Sequence, residues 1–170
     1  DRTARVWDAQ SGALLQTLIG HTQEVYYAAW SADDALIATA GVDQAVKLWN
    51  AASGAELRTL QGHGNRVQAV AFSPLGQIAS ASWDRTARLW DQASGELLAT
   101  LAGDQGEVLY AAFSPDGERL ATAGRDGTVR LYLTQTAALR RLAAEKLTRS
   151  WSDEECQLWF GASACPAAPD

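Results

Sequence analysis

Two His residues are the only imidazoles in the 170-residue chain, and each can be matched with a hydroxyl and a carboxylate downstream. His21 is followed by Thr39 and Asp43, and His63 by Ser80 and Asp84. His, Ser and Asp are the parts of a hydrolase triad, in which a base takes the proton of a hydroxyl nucleophile while a carboxylate orients the base. The same trio appears twice in phase, however, whereas an enzyme needs one site. Duplication at a fixed interval is what a scaffold produces. Cys156 and Cys165 flank a segment with no nearby His, which argues against a zinc site and leaves one packed thiol and one tail thiol. No Gly-rich phosphate loop, no His/Cys metal cluster and no isolated nucleophile with a base is found. The sequence therefore calls for no catalytic residue, metal or cofactor.

The elements that must position these residues are repeats. DRTARVWD at 1–8 returns as DQAVKLWN at 43–50, DRTARLWD at 84–91 and DGTVRLYL at 126–133. The leading acids Asp1, Asp43, Asp84 and Asp126 are spaced by 42, 41 and 42 residues, and Trp7, Trp49, Trp90 and Tyr132 keep the same intervals. Gly20-His21 recurs as Gly62-His63 and, degraded, as Gly103-Asp104. Within a repeat the period is two, the mark of strands. In 67–73, Val67, Ala69, Ala71 and Ser73 are expected on one face and Gln68, Val70 and Phe72 on the other. Ser-Pro-Asp-Gly at 114–117 is a tight turn, with Pro115 presetting φ and Gly117 accepting a positive one. The second repeat reads as four strands, a to d, over 25–30, 36–40, 45–49 and 56–60.

Gly-His, a Ser/Thr strand, Asp and Trp-Asp, recurring at about 40–45 residues, resemble the WD-repeat family of β-propellers over residues 1–133. The resemblance implies an all-β fold. Counting strands gives 13, or about three and a quarter blades in an open arc. A strand completing the last blade would come from upstream, which together with the first residue not being Met points to a piece of a longer chain. In this family the His, Ser/Thr, Asp and Trp of a blade form a hydrogen-bonded tetrad. Here those are His21, Thr39, Asp43 and Trp49, then His63, Ser80, Asp84 and Trp90. Every buried polar group in such a chain has a partner, as burial requires. The fourth repeat has Asp104 and Tyr132 in place of His and Trp, keeps Thr122 and Asp126, and is expected to be the weakest.

After residue 133 the period turns helical. Residues 134–150 are rich in Ala, Leu, Arg, Lys and Glu, with an apolar stripe at helical spacing through Leu139, Leu142, Ala143, Lys146 and Leu147. Ser152 and Glu155 make a capping box for a second helix over 153–160 that stops at Gly161. The expected organisation is thus a propeller segment over 1–133 and a helical appendix with a tail over 134–170. Residues 147–166, LTRSWSDEECQLWFGASACP, resemble the C-terminal appendix of bacterial WD-repeat signalling proteins. Those proteins carry a signal-transduction ATPase or kinase before the propeller, which would make this chain the C-terminal part of one.

A net charge of −6 disfavours a nucleic-acid partner. No apolar run reaches the ~20 residues that span a bilayer. Few thiols fit a reducing cytoplasm. The expected role is a non-catalytic protein-interaction scaffold or sensor. An enzyme with an axial-loop site, which would need a non-repeating polar cluster, and a purely structural packing module are the alternatives. The resemblance implies a partner on the top face, at the start of strand a and the b–c turn. Those positions are Glu24, Tyr26, Arg66, Gln68, Glu107 and Leu109, with Val42, Trp83 and Arg125 just before the turn Asp. Their identities vary while the scaffold repeats. Tyr26, Arg66 and Trp83 are expected to form one exposed patch, since Trp, Tyr and Arg dominate binding hot spots.

Overall fold

The computed structural model describes residues 1–102 and 105–135. Asp104, the helices expected over 134–150 and 153–160, and both Cys lie outside the described residues or continue beyond them. The described chain is all-β, with strands of five or six residues broken by Asp/Ser/Gly turns. The strands are β1 (Thr3–Trp7), β2 (Leu14–Ile19), β3 (Val25–Trp30), β4 (Leu36–Gly41), β5 (Val46–Asn50), β6 (Glu56–Leu60) and β7 (Val67–Phe72). They continue as β8 (Gln77–Ser82), β9 (Ala87–Asp91), β10 (Leu97–Leu101), β11 (Val108–Phe113), β12 (Arg119–Gly124) and β13 (Val129–Leu133). These 13 strands make four sheets in chain order: β1-β2, β3-β4-β5-β6, β7-β8-β9-β10 and β11-β12-β13. The sheets do not close into a ring, and the architecture is a partial propeller of two-, four-, four- and three-stranded blades.

Each turn that carries a tetrad Asp places the following residue in the left-handed region, with φ of 67° at Gln44, 69° at Arg85 and 78° at Gly127. The Asp makes that conformation tolerable for a side chain by accepting from the backbone two residues on, as Asp84 Oδ1 does from Thr86 N–H at 3.0 Å.

The blades pack by matching small against large. Strand b alternates Ile37, Thr39 with Ala38, Ala40, so one face carries the tetrad hydroxyl and the other only methyl groups. Ala38 and Ala40, with Val46 and Leu48, receive Val67, Val70, Ile78 and Trp90 of the next blade. Ala79 and Ala81, with Ala87 and Leu89, receive Val108, Ala111 and Leu120 in the same way. Trp49 packs on Leu18 of the two-stranded blade. The inner strands β3, β7 and β11 lie side by side, and β7 touches both others.

One expectation fails for a local reason. Residue 67 pairs with Ser82 but residue 69 with Ala81, so Gln68 is the extra residue of a β-bulge. The bulge flips the register. Val67 and Val70 face the preceding blade, and Ala69 faces the following one. Strict alternation would put Val67 and Ala69 together. The same bulge occurs at Tyr26 and at Leu109. Strands b and c also sit slightly further along than expected, at 36–41 and 46–50.

Trp49 and Trp90 are buried at 1% and 2% exposure, whereas Trp7, at the equivalent place in the first blade, is 55% exposed. Trp49→Ala or Trp90→Ala is expected to cost about 3–5 kcal/mol in denaturant unfolding, as loss of a large buried aromatic does. Trp7→Ala is expected to stay within about 1 kcal/mol of the parent. Equal costs at positions 7 and 90 would contradict the blade packing.

Candidate functional site

The tetrad residues come together in both four-stranded blades. In the third blade Trp90 Nε1–H donates to Ser80 Oγ at 2.8 Å, Ser80 Oγ lies 2.7 Å from His63 Nε2, and His63 Nδ1 lies 2.8 Å from Asp84 Oδ2. In the second, the distances Trp49–Thr39, Thr39–His21 and His21–Asp43 are 2.8, 2.7 and 2.9 Å. A carboxylate only accepts, so the Nδ1 nitrogen donates. Burial pushes His63 below its ordinary value; the hydrogen bond and charge of Asp84 oppose that and the charge of Arg88 adds to it. The ring is therefore neutral at pH 7, and its Nε2 accepts from the Ser80 hydroxyl. Asp84 closes the chain. Burial alone would raise its carboxyl, but Thr86, the Gly64 N–H and His63 outweigh burial and hold it at about 2.

The order hydroxyl, imidazole, carboxylate is that of a hydrolase triad, yet the chemistry is blocked. Ser80 and Thr39 have no exposed surface, and each hydroxyl oxygen already accepts an indole N–H. A nucleophile needs a lone pair and a path to substrate. These hydroxyls have no path to a substrate, and one of the two lone pairs on each is already held by an indole.

The last blade differs. Asp126 still accepts from the Gln105 N–H, as Asp43 does from Thr22 and Asp84 from Gly64. Bonds from the Thr128 hydroxyl and backbone, from Gln105 and from Arg130 hold its carboxyl well below the usual range. Thr122 Oγ1 and Tyr132 Oη, though shielded from water, have no hydrogen-bond partner among the described residues.

The nine top-face positions form a regular grid. The N–H groups of Val42, Trp83 and Arg125 donate to the carbonyls of Glu24, Arg66 and Glu107 at 2.8, 3.1 and 2.8 Å. Tyr26, Gln68 and Leu109 are the three bulge residues, projected differently from their strand neighbours. Tyr26, Arg66 and Trp83 do meet. The Arg66 guanidinium lies 3.1 Å above the Trp83 ring and 5.2 Å from the Tyr26 ring, and its Nη1 donates to the Tyr26 hydroxyl at 3.2 Å. Arg125 approaches Trp83 at 5.6 Å and pairs with Glu107 at 3.5 Å. Tyr26 is 46% exposed. Trp83 is only half-buried, and its indole carries a guanidinium instead of standing free. Val42, Gln68 and Leu109 are half-buried.

Sequence reading misses the support of this stack. Ser82 stands where the neighbouring blades have Gly41 and Gly124. Its hydroxyl donates to the Arg66 carbonyl at 2.9 Å and lies 3.1 Å from that of Asn65, fixing the segment that presents Arg66. The signal is there in the sequence as the one break in a Gly column.

Four-stranded blades fanned from inner strands, each sealed by an indole–hydroxyl–imidazole–carboxylate chain, define a β-propeller repeat protein. The family described as "WD domain, G-beta repeat" matches residues 12–50, 54–91 and 95–132, and the chain belongs to it. Each matched unit begins with the outer strand of one blade and ends with strand c of the next, so every sequence repeat ties two blades together. No curated protein matches the chain as a relative.

Ser80→Ala is expected to destabilise by roughly 2 kcal/mol or more, since it strands both the Trp90 N–H and His63 Nε2. Thr122→Val, at a hydroxyl with no partner among the described residues, is expected to be neutral or stabilising; urea titration separates the two. The shifts also set a pH dependence. With His63 depressed below 6.5, the unfolded chain gains a proton before the folded one, so its contribution is whole above pH 6.5 and is lost as pH falls below it. Asp84 adds a second loss between pH 3.8 and about 2. Melting temperatures flat from neutral pH down through both windows would refute this.

Proposed function

We propose that the chain is a non-catalytic interaction module that recognises a protein partner through the top face of its second to fourth blades. WD repeats generally serve protein–protein interaction, and the observation that carries this reading is the Tyr26–Arg66–Trp83 stack. It joins residues of two blades at positions that the repeat does not dictate. The tetrad alongside has no such freedom.

The enzyme alternative finds no support in the groove between the second and third blades. That groove is lined by Ser31, Asp33, Phe72, Ser73, Pro74 and Gln92, with no His or Cys. Its serines are engaged in turns: Ser31 Oγ donates to Asp33 at 2.6 Å, and Ser73 Oγ accepts from Leu75 N–H at 3.1 Å. The finer reading places the chain in the cytoplasm, as the C-terminal part of a bacterial signalling protein with an effector ATPase or kinase upstream. The signalling role rests on the resemblance of residues 147–166 and the location on the few thiols.

The test is crosslinked capture by the purified chain and by its Tyr26→Ala/Arg66→Ala variant, with a hydrolase and nucleotide-turnover panel in parallel. Partners held by the parent are expected to bind the variant at least about fivefold more weakly. Its unfolding free energy is expected to change by less than about 1 kcal/mol. Turnover abolished by one top-loop substitution would overturn the reading.

A further inference from the structure

We propose that the top face reads a charge-patterned peptide segment, seating an acidic residue on Arg66 and a basic residue on Glu24. This rests on the interaction reading above and names the chemistry of the partner.

Glu24, Arg66 and Glu107 occupy one backbone position in three successive blades, each giving its carbonyl to the residue before the tetrad Asp. Their charges alternate along the face. Glu107 is already answered by Arg125 at 3.5 Å. Arg66 has no carboxylate partner among the described residues, and the exposed Glu24 side chain has no cationic one. Two opposite charges in adjacent blades would ordinarily neutralise each other. Here the fold keeps them apart. The Arg66 guanidinium carbon sits over the Trp83 ring and its Nη1 turns to the Tyr26 hydroxyl, and Tyr26 is the bulge residue two places after Glu24.

A guanidinium is a planar fork of donors that suits a carboxylate, and contact with an aromatic ring limits the orientations it samples. The stack and the Ser82–Arg66 bond settle the side chain and its backbone before a partner arrives, which reduces the ordering cost of binding. Glu24 sets the second requirement: a wholly acidic segment meets a repelling carboxylate one blade away, whereas a basic residue there gains. Packed sheets lie about 10 Å apart and extended chain advances about 3.3 Å per residue, so the two partner residues should be about three apart.

Four fluorescent Gly/Ser peptides test this against the full 170-residue chain. One carries Lys and Glu at that spacing, one Glu at both places, one Lys at both and one Gln at both. The mixed peptide is expected to bind at least about tenfold tighter than the Gln peptide and tighter than either single-sign peptide, with the advantage shrinking as salt rises. Arg66→Gln should remove the preference for Glu. Glu24→Lys, an exposed substitution, should move the optimum from the mixed to the all-acidic peptide. Equal binding of all four, or the same ranking with Glu24→Lys, overturns the proposal. If such binding is still lost in Tyr26→Ala/Arg66→Ala, the interaction reading survives and only the charge pattern falls. No peptide binding, while captured protein partners still depend on Tyr26 and Arg66, also overturns the charge pattern alone.

Discussion

A single buried hydroxyl is the point on which each complete blade turns. Ser80 and Thr39 sit on the second strand of their blades with no exposed surface, where an unsatisfied polar group is costly. The oxygen is satisfied by the indole of the third strand, and its proton goes to an imidazole from the loop before the first. That imidazole donates onward to the Asp of the b–c turn, which also accepts the N–H of the residue after the His. Four segments distant in sequence are thereby fixed through one chain of bonds. Each donor and acceptor has one satisfactory orientation, so the chain specifies geometry as well as stability.

The indole transmits this order to the next layer. Held by its N–H, Trp90 joins the cluster that Leu60, Ala38 and Ala40 of the preceding blade form with Val67, Val70 and Ile78. The small Ala side chains leave room for the larger incoming ones, as close packing demands. In the fourth repeat Thr122 and Tyr132 stay shielded, but neither hydroxyl finds a partner among the described residues.

The repeat, the strand order and the residues of the tetrad are legible in the sequence because each is a local pattern copied along the chain. The direction of side chains around the first strand is not. An inserted residue at Tyr26, Gln68 or Leu109 reverses the faces without any distinguishing residue type, since Tyr, Gln and Leu have no common bulge signature. Trp83 reads in sequence as a free anchor. Its ring is instead the floor for a guanidinium presented from the start of another strand, and only the pairing of β7 with β8 brings the two together. Ser82 is visible in the sequence as an exception, but it carries no meaning until the Arg66 carbonyl is placed beside it.

The tetrad and the variable face share one turn, and this explains why they can differ so much in constraint. Val42, Trp83 and Arg125 each precede the turn Asp directly. The Asp fixes the turn by accepting the N–H of Thr22, Gly64 or Gln105, and the backbone bond to residue 24, 66 or 107 fixes it a second time. None of these bonds uses the side chain of residue 42, 83 or 125. A Val, a Trp and an Arg are therefore carried at the same place on the same backbone, so their identities are left to whatever meets the face. Where the backbone alone does not suffice, as under the stacked Arg66, the chain adds a bond in the one blade that needs it, replacing Gly with Ser82.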